Sequence, residues 1–114
     1  MITDIFCKII NKELPVEVIV EEKDWLAIKD ISPQAPVHVL IIPKKHFDFP
    51  DIDGTDEKLI GKLIIAAKMV AKKLGLGKGF RLIINQGRDG GQLVPHFHVH
   101  LLGGRRLGAK IVNG

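Results

Sequence analysis

Apolar residues recur along this chain in two rhythms, and each predicts a kind of element. Between Thr55 and Leu74 the spacing is helical: Leu59, Ile60, Leu63, Ile64, Ala67, Val70 and Leu74 fall in one broad stripe at about 100° per residue. Asp51 to Thr55 suits the turn and helix start, with Asp56 and Glu57 in the first turn, Lys72-Lys73 in the last and Gly75 past the end. Ile65 and Met69 fall outside the stripe, among Lys58, Lys62 and Lys72, which predicts a partner surface on that flank. A short amphipathic helix is expected over residues 2–12, where Ile2, Ile5, Phe6, Ile9 and Ile10 are mixed with Asp4 and Lys8. It would start near Thr3 or Asp4 and be ended by Pro15.

Elsewhere the rhythm is that of strands. Val16 to Glu21 and Trp25 to Lys29 read as a hairpin through Glu22-Lys23-Asp24. Ser32-Pro33-Gln34-Ala35-Pro36 is a rigid connection, because proline cannot serve a strand interior. Val37 to Ile42, apolar but for His38, then reads as a central strand closed by Pro43-Lys44-Lys45. Phe80 to Ile84 is a further strand, and Asn85 to Gln92 a glycine-rich loop. In the last strand, Pro95 to Leu102, His96, His98 and His100 alternate with Phe97, Val99 and Leu101. Side chains two apart on a strand share a face, so the pattern predicts a ladder of imidazoles looking outward over a buried apolar face. Strands, one long helix and two more strands imply one α+β domain over residues 1–114, with a mainly antiparallel sheet.

Composition changes this picture little. A hydrophobic content of 46% with 26% charged residues is ordinary for a globular chain. The net charge of +4 is spread along the sequence, Tyr is absent and aromatics reach only 5%, so no nucleic-acid partner is expected. A mild positive balance suits a small anionic ligand. Cys7, the lone cysteine, permits no internal disulfide, favours a cytoplasmic setting and reads as a packed thiol beside Phe6 and Ile9. The first residues lack a signal-peptide layout and no apolar run reaches bilayer-spanning length, so no membrane partner is expected.

Two chemistries compete for the histidines. Three imidazoles can hold a catalytic zinc, but alternate strand residues stand about 6.6 Å apart and the outer two about 13 Å apart. Convergence of all three on one ion is therefore hard, and no metal is expected. Phosphorus chemistry is the other choice: a neutral imidazole is a nucleophile, and a protonated neighbour can hold an anionic oxygen. Asp89-Gly90-Gly91-Gln92 would let backbone N–H groups approach such an anion.

His96-Phe97-His98-Val99-His100-Leu101-Leu102 resembles the defining motif of the histidine-triad (HIT) nucleotide-binding proteins, and Leu102-Gly103-Gly104-Arg105 is similar to their Hint branch. The likeness extends through Ile5-Phe6, Asp30 to Pro36, His38, Ile42 to His46 and Asn85 to Gln92. It implies a five-stranded antiparallel sheet with one long and one short helix, paired as a homodimer. It also implies a purine nucleotide substrate, with adenosine phosphoramidates or aminoacyl-adenylates hydrolysed to AMP and no cofactor required. By the same resemblance His98 would attack the α-phosphorus and form a nucleotidyl-histidine. His100 would donate to a phosphate oxygen, and His96 and His38 would orient the nucleophile or supply protons. Asp30 would bind the ribose hydroxyls, Phe6, Ile9, Ile28 and Ile31 would line the base pocket, and Asn85 and Gln92 would reach the phosphate region beside Gly91. By pattern alone, His38, Phe6, Ile9, Ile28 and Ile31 are core residues, Asp30 caps a turn, and Lys44-Lys45-His46 and Arg105-Arg106 are solvated strand ends. Leu93 stands where many Hint enzymes carry a serine that assists the leaving amine; leucine has no proton to give, so leaving-group preference stays open. The alternatives are a diadenosine-polyphosphate hydrolase of the same fold, and a nucleotide- or zinc-binding regulatory module.

Overall fold

Asp4 accepts a hydrogen bond from the Cys7 N–H and starts helix α1 (Ile5–Ile10) in the computed structural model, which describes residues 4–109. The helix stops well before Pro15: the Asn11 N–H closes on the Cys7 and Ile9 carbonyls, and Lys12 takes a φ of 64° that no helix continues. Strands β1 (Val18–Glu21), β2 (Trp25–Lys29) and β3 (Val37–Pro43) follow, then helix α2 (Glu57–Lys73) and strands β4 (Phe80–Ile83) and β5 (Val99–Gly103). All pairings are antiparallel, in the order β1-β2-β3-β5-β4, so β3 is central. Two 3-10 turns, Phe49–Asp51 and Gly54–Asp56, lead into α2, each capped by an aspartate, Asp48 and Asp53.

The sheet buries both faces. On one, Ala27, Val39, Ile41, Val99 and Leu101 pack against Leu63, Ala67 and Val70 of α2. On the other, Leu26, Ile28, Leu40 and Ile42 pack against Phe6 and Ile9 of α1. The helical stripe needs one correction: Ile64 is 46% exposed, while Ala66 and Ala71 are buried in its place. Their small side chains let the helix axis lie close to the sheet.

The outward-looking histidine ladder does not form. β5 begins only at Val99, because Pro43 of the neighbouring β3 has no N–H to continue the pairing. The preceding N–H groups go elsewhere, from Phe97 to the Phe47 carbonyl (2.7 Å) and from His96 to that of Val94 (2.8 Å). Alternation nevertheless persists: Phe97, Val99 and Leu101 reach the α2-side core, and the histidines face the α1 side. There α1 covers them, so that His96 is fully buried and His98 is 6% exposed. Among the described residues no helix is long and apolar enough to cross a membrane.

Candidate functional site

A cavity of about 720 Å³ opens on the α1 side of the sheet. Its apolar end is built from Phe6 and Ile9 of α1, Val16, and Ile28 and Leu40 on facing strands. Its polar end holds Asp30, His38, His98 and His100, with Asn85 and Gly91 at the rim. Ile31 and Leu93 also border it, Leu93 at 94% exposed. Thus His38, His98, His100, Asp30, Ile31, Asn85, Gly91, Leu93, Phe6, Ile9 and Ile28 converge on one cavity. His96 and Gln92 do not line it.

Hydrogen positions at the polar end follow from the heavy-atom network. The His98 Nδ1 lies 2.7 Å from the His96 carbonyl oxygen. A carbonyl only accepts, so Nδ1 carries the hydrogen and Nε2 keeps a free lone pair. On the next strand the Gln34 N–H donates to His38 Nδ1 (3.1 Å), which puts the His38 hydrogen on Nε2. That Nε2–H is 2.9 Å from His100 Nδ1, so His100 in turn carries its hydrogen on Nε2. His98 and His100 stand side by side, ring centroids 5.0 Å apart. Burial lowers the pKa of His98, and burial with His98 and His38 nearby lowers that of His100 to about 4. Both rings are therefore neutral near pH 7. One offers a lone pair and the other an N–H, in a partly desolvated cleft beside a glycine loop.

The remaining polar residues are held by the loops. Asp30 accepts from the Ser32 N–H with Oδ1 (2.8 Å) and turns Oδ2 toward His38 Nε2 at 3.3 Å. Asn85 donates to the Gly90 carbonyl (2.7 Å). Gln92 is spent within the fold: its Oε1 accepts from the Gly87 N–H and its Nε2 donates to Asp48 and the Val94 carbonyl. Gly90 is required where it stands, since a Cβ there would lie 2.2 Å from the Gln86 carbonyl oxygen.

His96 turns the other way. Its Nε2 donates to the Pro43 carbonyl (3.0 Å), and its Nδ1 faces Asp4, Cys7 and His46. Its link to the cavity is its backbone carbonyl, which accepts from His98 Nδ1–H. Sequence reasoning missed Val16, Leu40 and Val94 as lining residues, because apolar strand residues carry no mark of which core they join. It also missed the meeting of Asp4, Cys7 and His46, whose one local signal is the i, i+3 spacing of Asp4 and Cys7. A second hollow of about 940 Å³ lies between Gly75–Arg81 and Gly104–Leu107, where the side-chain charges are Lys78, Arg81, Arg105 and Arg106.

Residues 11–107 match the sequence profile of the HIT domain. The adenylylsulfatase HINT1 of Arabidopsis thaliana is 47% identical over 106 residues, which span 90% of this chain and 72% of that protein. A 14 kDa zinc-binding protein of Brassica juncea is 47% identical over 106 residues, 90% of this chain and 94% of the relative. Among solved structures, a HIT family hydrolase from Clostridium thermocellum superposes with a TM-score of 0.90 at 48% identity, covering 95% of this chain and 96% of its own. The histidine motif, the sheet that carries it and these likenesses agree: the chain belongs to the HIT domain family, on its Hint branch.

Proposed function

We propose that this protein is a nucleotide hydrolase that cleaves adenosine 5′-phosphoramidates or aminoacyl-adenylates to AMP through His98. The observation that carries this reading is the pair of defined tautomers, a free Nε2 lone pair on His98 beside an Nε2–H on His100. In the first step the His98 lone pair forms a bond to the α-phosphorus while the bond to the leaving group breaks, its electron pair departing with that group. The positive charge on the new phosphoryl-imidazolium is met by the His96 carbonyl at Nδ1–H. His100 donates to a non-bridging oxygen, where charge builds in the transition state. A water then attacks phosphorus and loses a proton to the surrounding solvent, the P–N bond to His98 breaks with its electron pair returning to nitrogen, and AMP and the free imidazole are released. Phe6, Ile9, Ile28 and Leu40 suit a purine between them, and the Asp30 carboxylate can accept from ribose hydroxyls. His98 supplies the nucleophile itself, so the chemistry as proposed takes no cofactor.

The names of the relatives support the class: one is called an adenylylsulfatase, another a HIT family hydrolase. The Gln92 amide, which the resemblance brings to the phosphate region, is occupied within the fold, so it lends no support to a diadenosine-polyphosphate substrate. The test is His98→Asn. Turnover of an adenosine phosphoramidate should fall by about 10⁴-fold or more while AMP binding persists. Near-normal turnover by this variant would sink the mechanism, and faster cleavage of a diadenosine polyphosphate by the wild type would reassign the substrate.

A further inference from the structure

The glycine loop at the cavity rim is a closed ring with a single polar fastening. Gln92 closes it twice: its backbone N–H donates to the Gly87 carbonyl (3.0 Å), and its Oε1 accepts from the Gly87 N–H (2.8 Å). The Gly91 N–H donates to the Arg88 carbonyl and the Asn85 amide to that of Gly90, so the turn is held from within. Among the described residues, one hydrogen bond joins residues 85–94 to a distant part of the chain. Gln92 Nε2 donates to Asp48 Oδ1 at 2.8 Å. Asp48 is itself anchored. Its Oδ1 also accepts from the Phe49 N–H (2.8 Å), and its own N–H donates to Asp51 Oδ2 (3.0 Å), in a 3-10 turn that contains Pro50. The preceding residue, Phe47, is joined to the histidine segment. Its carbonyl accepts from the Phe97 N–H at 2.7 Å, and its ring stacks on that of Phe97 with centroids 5.5 Å apart. Phe97 stands between His98 and His96, whose carbonyl accepts from His98. The path from loop to nucleophile therefore runs through Gln92, Asp48, Phe47 and Phe97.

We propose that Asp48 is a positioning residue: through Gln92 it sets the glycine loop against His98, so that a bound phosphate meets loop and nucleophile in one geometry. The inference rests on the nucleotide reading of the cavity, in which the α-phosphate lies between Gly91 and His98, both of which line it. Asp48 does not line the cavity and acts only through the loop. Attack on phosphorus needs the reacting atoms about 3–3.5 Å apart and aligned. A loop free to swing would spread the phosphate over many positions, few of them in reach of His98. A carboxylate suits the task, because a hydrogen bond to a charged acceptor is stronger than one between neutral groups. Gln92 gains a role of its own: its amide serves the phosphate from behind, by holding the backbone that faces it.

The experiment compares Asp48→Ala, Asp48→Asn and Asp51→Ala in the full chain, by amide exchange without ligand and by binding of AMP and of adenosine. Asp48→Ala should speed exchange at Gly87 and Gln92 and weaken AMP by about tenfold, the worth of one hydrogen bond to a charged group. Adenosine, which has no phosphate for the loop to hold, should bind as before. Asp48→Asn keeps an acceptor oxygen and should restore most of the AMP affinity. Asp51→Ala loosens the same 3-10 turn without touching Gln92 and should leave AMP affinity unchanged. Wild-type AMP affinity in Asp48→Ala would overturn the proposal, whatever the exchange shows. So would equal losses of AMP and adenosine, or equal losses in Asp48→Ala and Asp51→Ala, since Asp48 would then serve the fold alone. If Asp48→Ala fails to fold, Gln92→Ala makes the same test from the other side of the bond. Failure of the nucleotide reading looks different: the wild type would bind no AMP, which removes the phosphate role, while faster exchange at Gly87 in Asp48→Ala would still mark the tether.

Discussion

Leu93 is a large apolar side chain left almost wholly in solvent at the mouth of the cavity. Exposed leucine is common, but here it borders the cavity in which the proposed reaction would take place. It cannot protonate an amine. A basic alkylamine therefore has to draw its proton from a source other than position 93, whereas the carboxylate of an aminoacyl-adenylate needs none. One well-placed proton donor is typically worth about 10²–10⁴-fold. Leu93→Ser should accordingly raise turnover of an alkylamine phosphoramidate by at least about tenfold and barely change that of an acyl-adenylate. Equal responses of the two substrates would show that position 93 only shapes the mouth. His96 gives the opposite lesson at the same scale. Its place in the motif links it to catalysis, yet its ring faces away from the cavity and only its carbonyl serves His98.

At the scale of elements, the polar end of the cavity depends on the connection between β2 and β3. That turn presents the Gln34 N–H to His38, which fixes the tautomer of His38 and through it that of His100. The His98 and His100 rings are both held below the ordinary imidazole value of 6.5, His98 by burial and His100 by burial and its histidine neighbours to about 4. As pH falls, the rings should stay neutral past 6.5, so the acid limb of kcat/KM should lie below that value. A limb centred at or above 6.5 would show that the rings titrate as if in water. Stability should respond in the same window: between 6.5 and about 4 the unfolded chain binds more protons than the folded one. The melting temperature should therefore decline as pH drops through that range. Much of this architecture is legible in the sequence. Period-two alternation put Phe97, Val99 and Leu101 into the core, and the helical stripe located α2. What escaped was non-local. Pro43 stops the pairing of β5 from another strand, and α1 covers imidazoles about ninety positions away. Nothing in a local window reports on either. The Asp4, Cys7, His46 and His96 cluster is hidden for the same reason, since spacing motifs exist only within one segment.

For the molecule as a whole, one flank is left unfinished. β4 is an edge strand, and no strand among the described residues pairs with its outer side. Leu82 stands opposite Leu101, which faces α2, so Leu82 points to the same side of the sheet. It stays exposed, as do Phe80 and Ile84, because the core against α2 does not extend over the edge. On α2 itself Ile64, Ile65 and Met69 are exposed, Ile65 at 64% and Met69 at 49%. Large apolar residues on a helix and on the neighbouring sheet edge amount to more than the scattered exposure a monomer tolerates. A second copy related by a two-fold axis would cover both at once, with β4 meeting β4 and helix meeting helix. We propose this homodimer as the working state. Ile65→Glu with Met69→Lys replaces two apolar side chains at the centre of that contact with charges, which can pair with each other one turn apart along the helix but still lose their water on association. The dimer dissociation constant should rise by at least about 100-fold, with the monomer's melting behaviour little changed because both side chains are already in solvent. Sedimentation equilibrium at micromolar protein distinguishes the cases. A wild type that sediments as a monomer would rule the dimer out, and a double variant as tightly paired as the wild type would move the contact to another face.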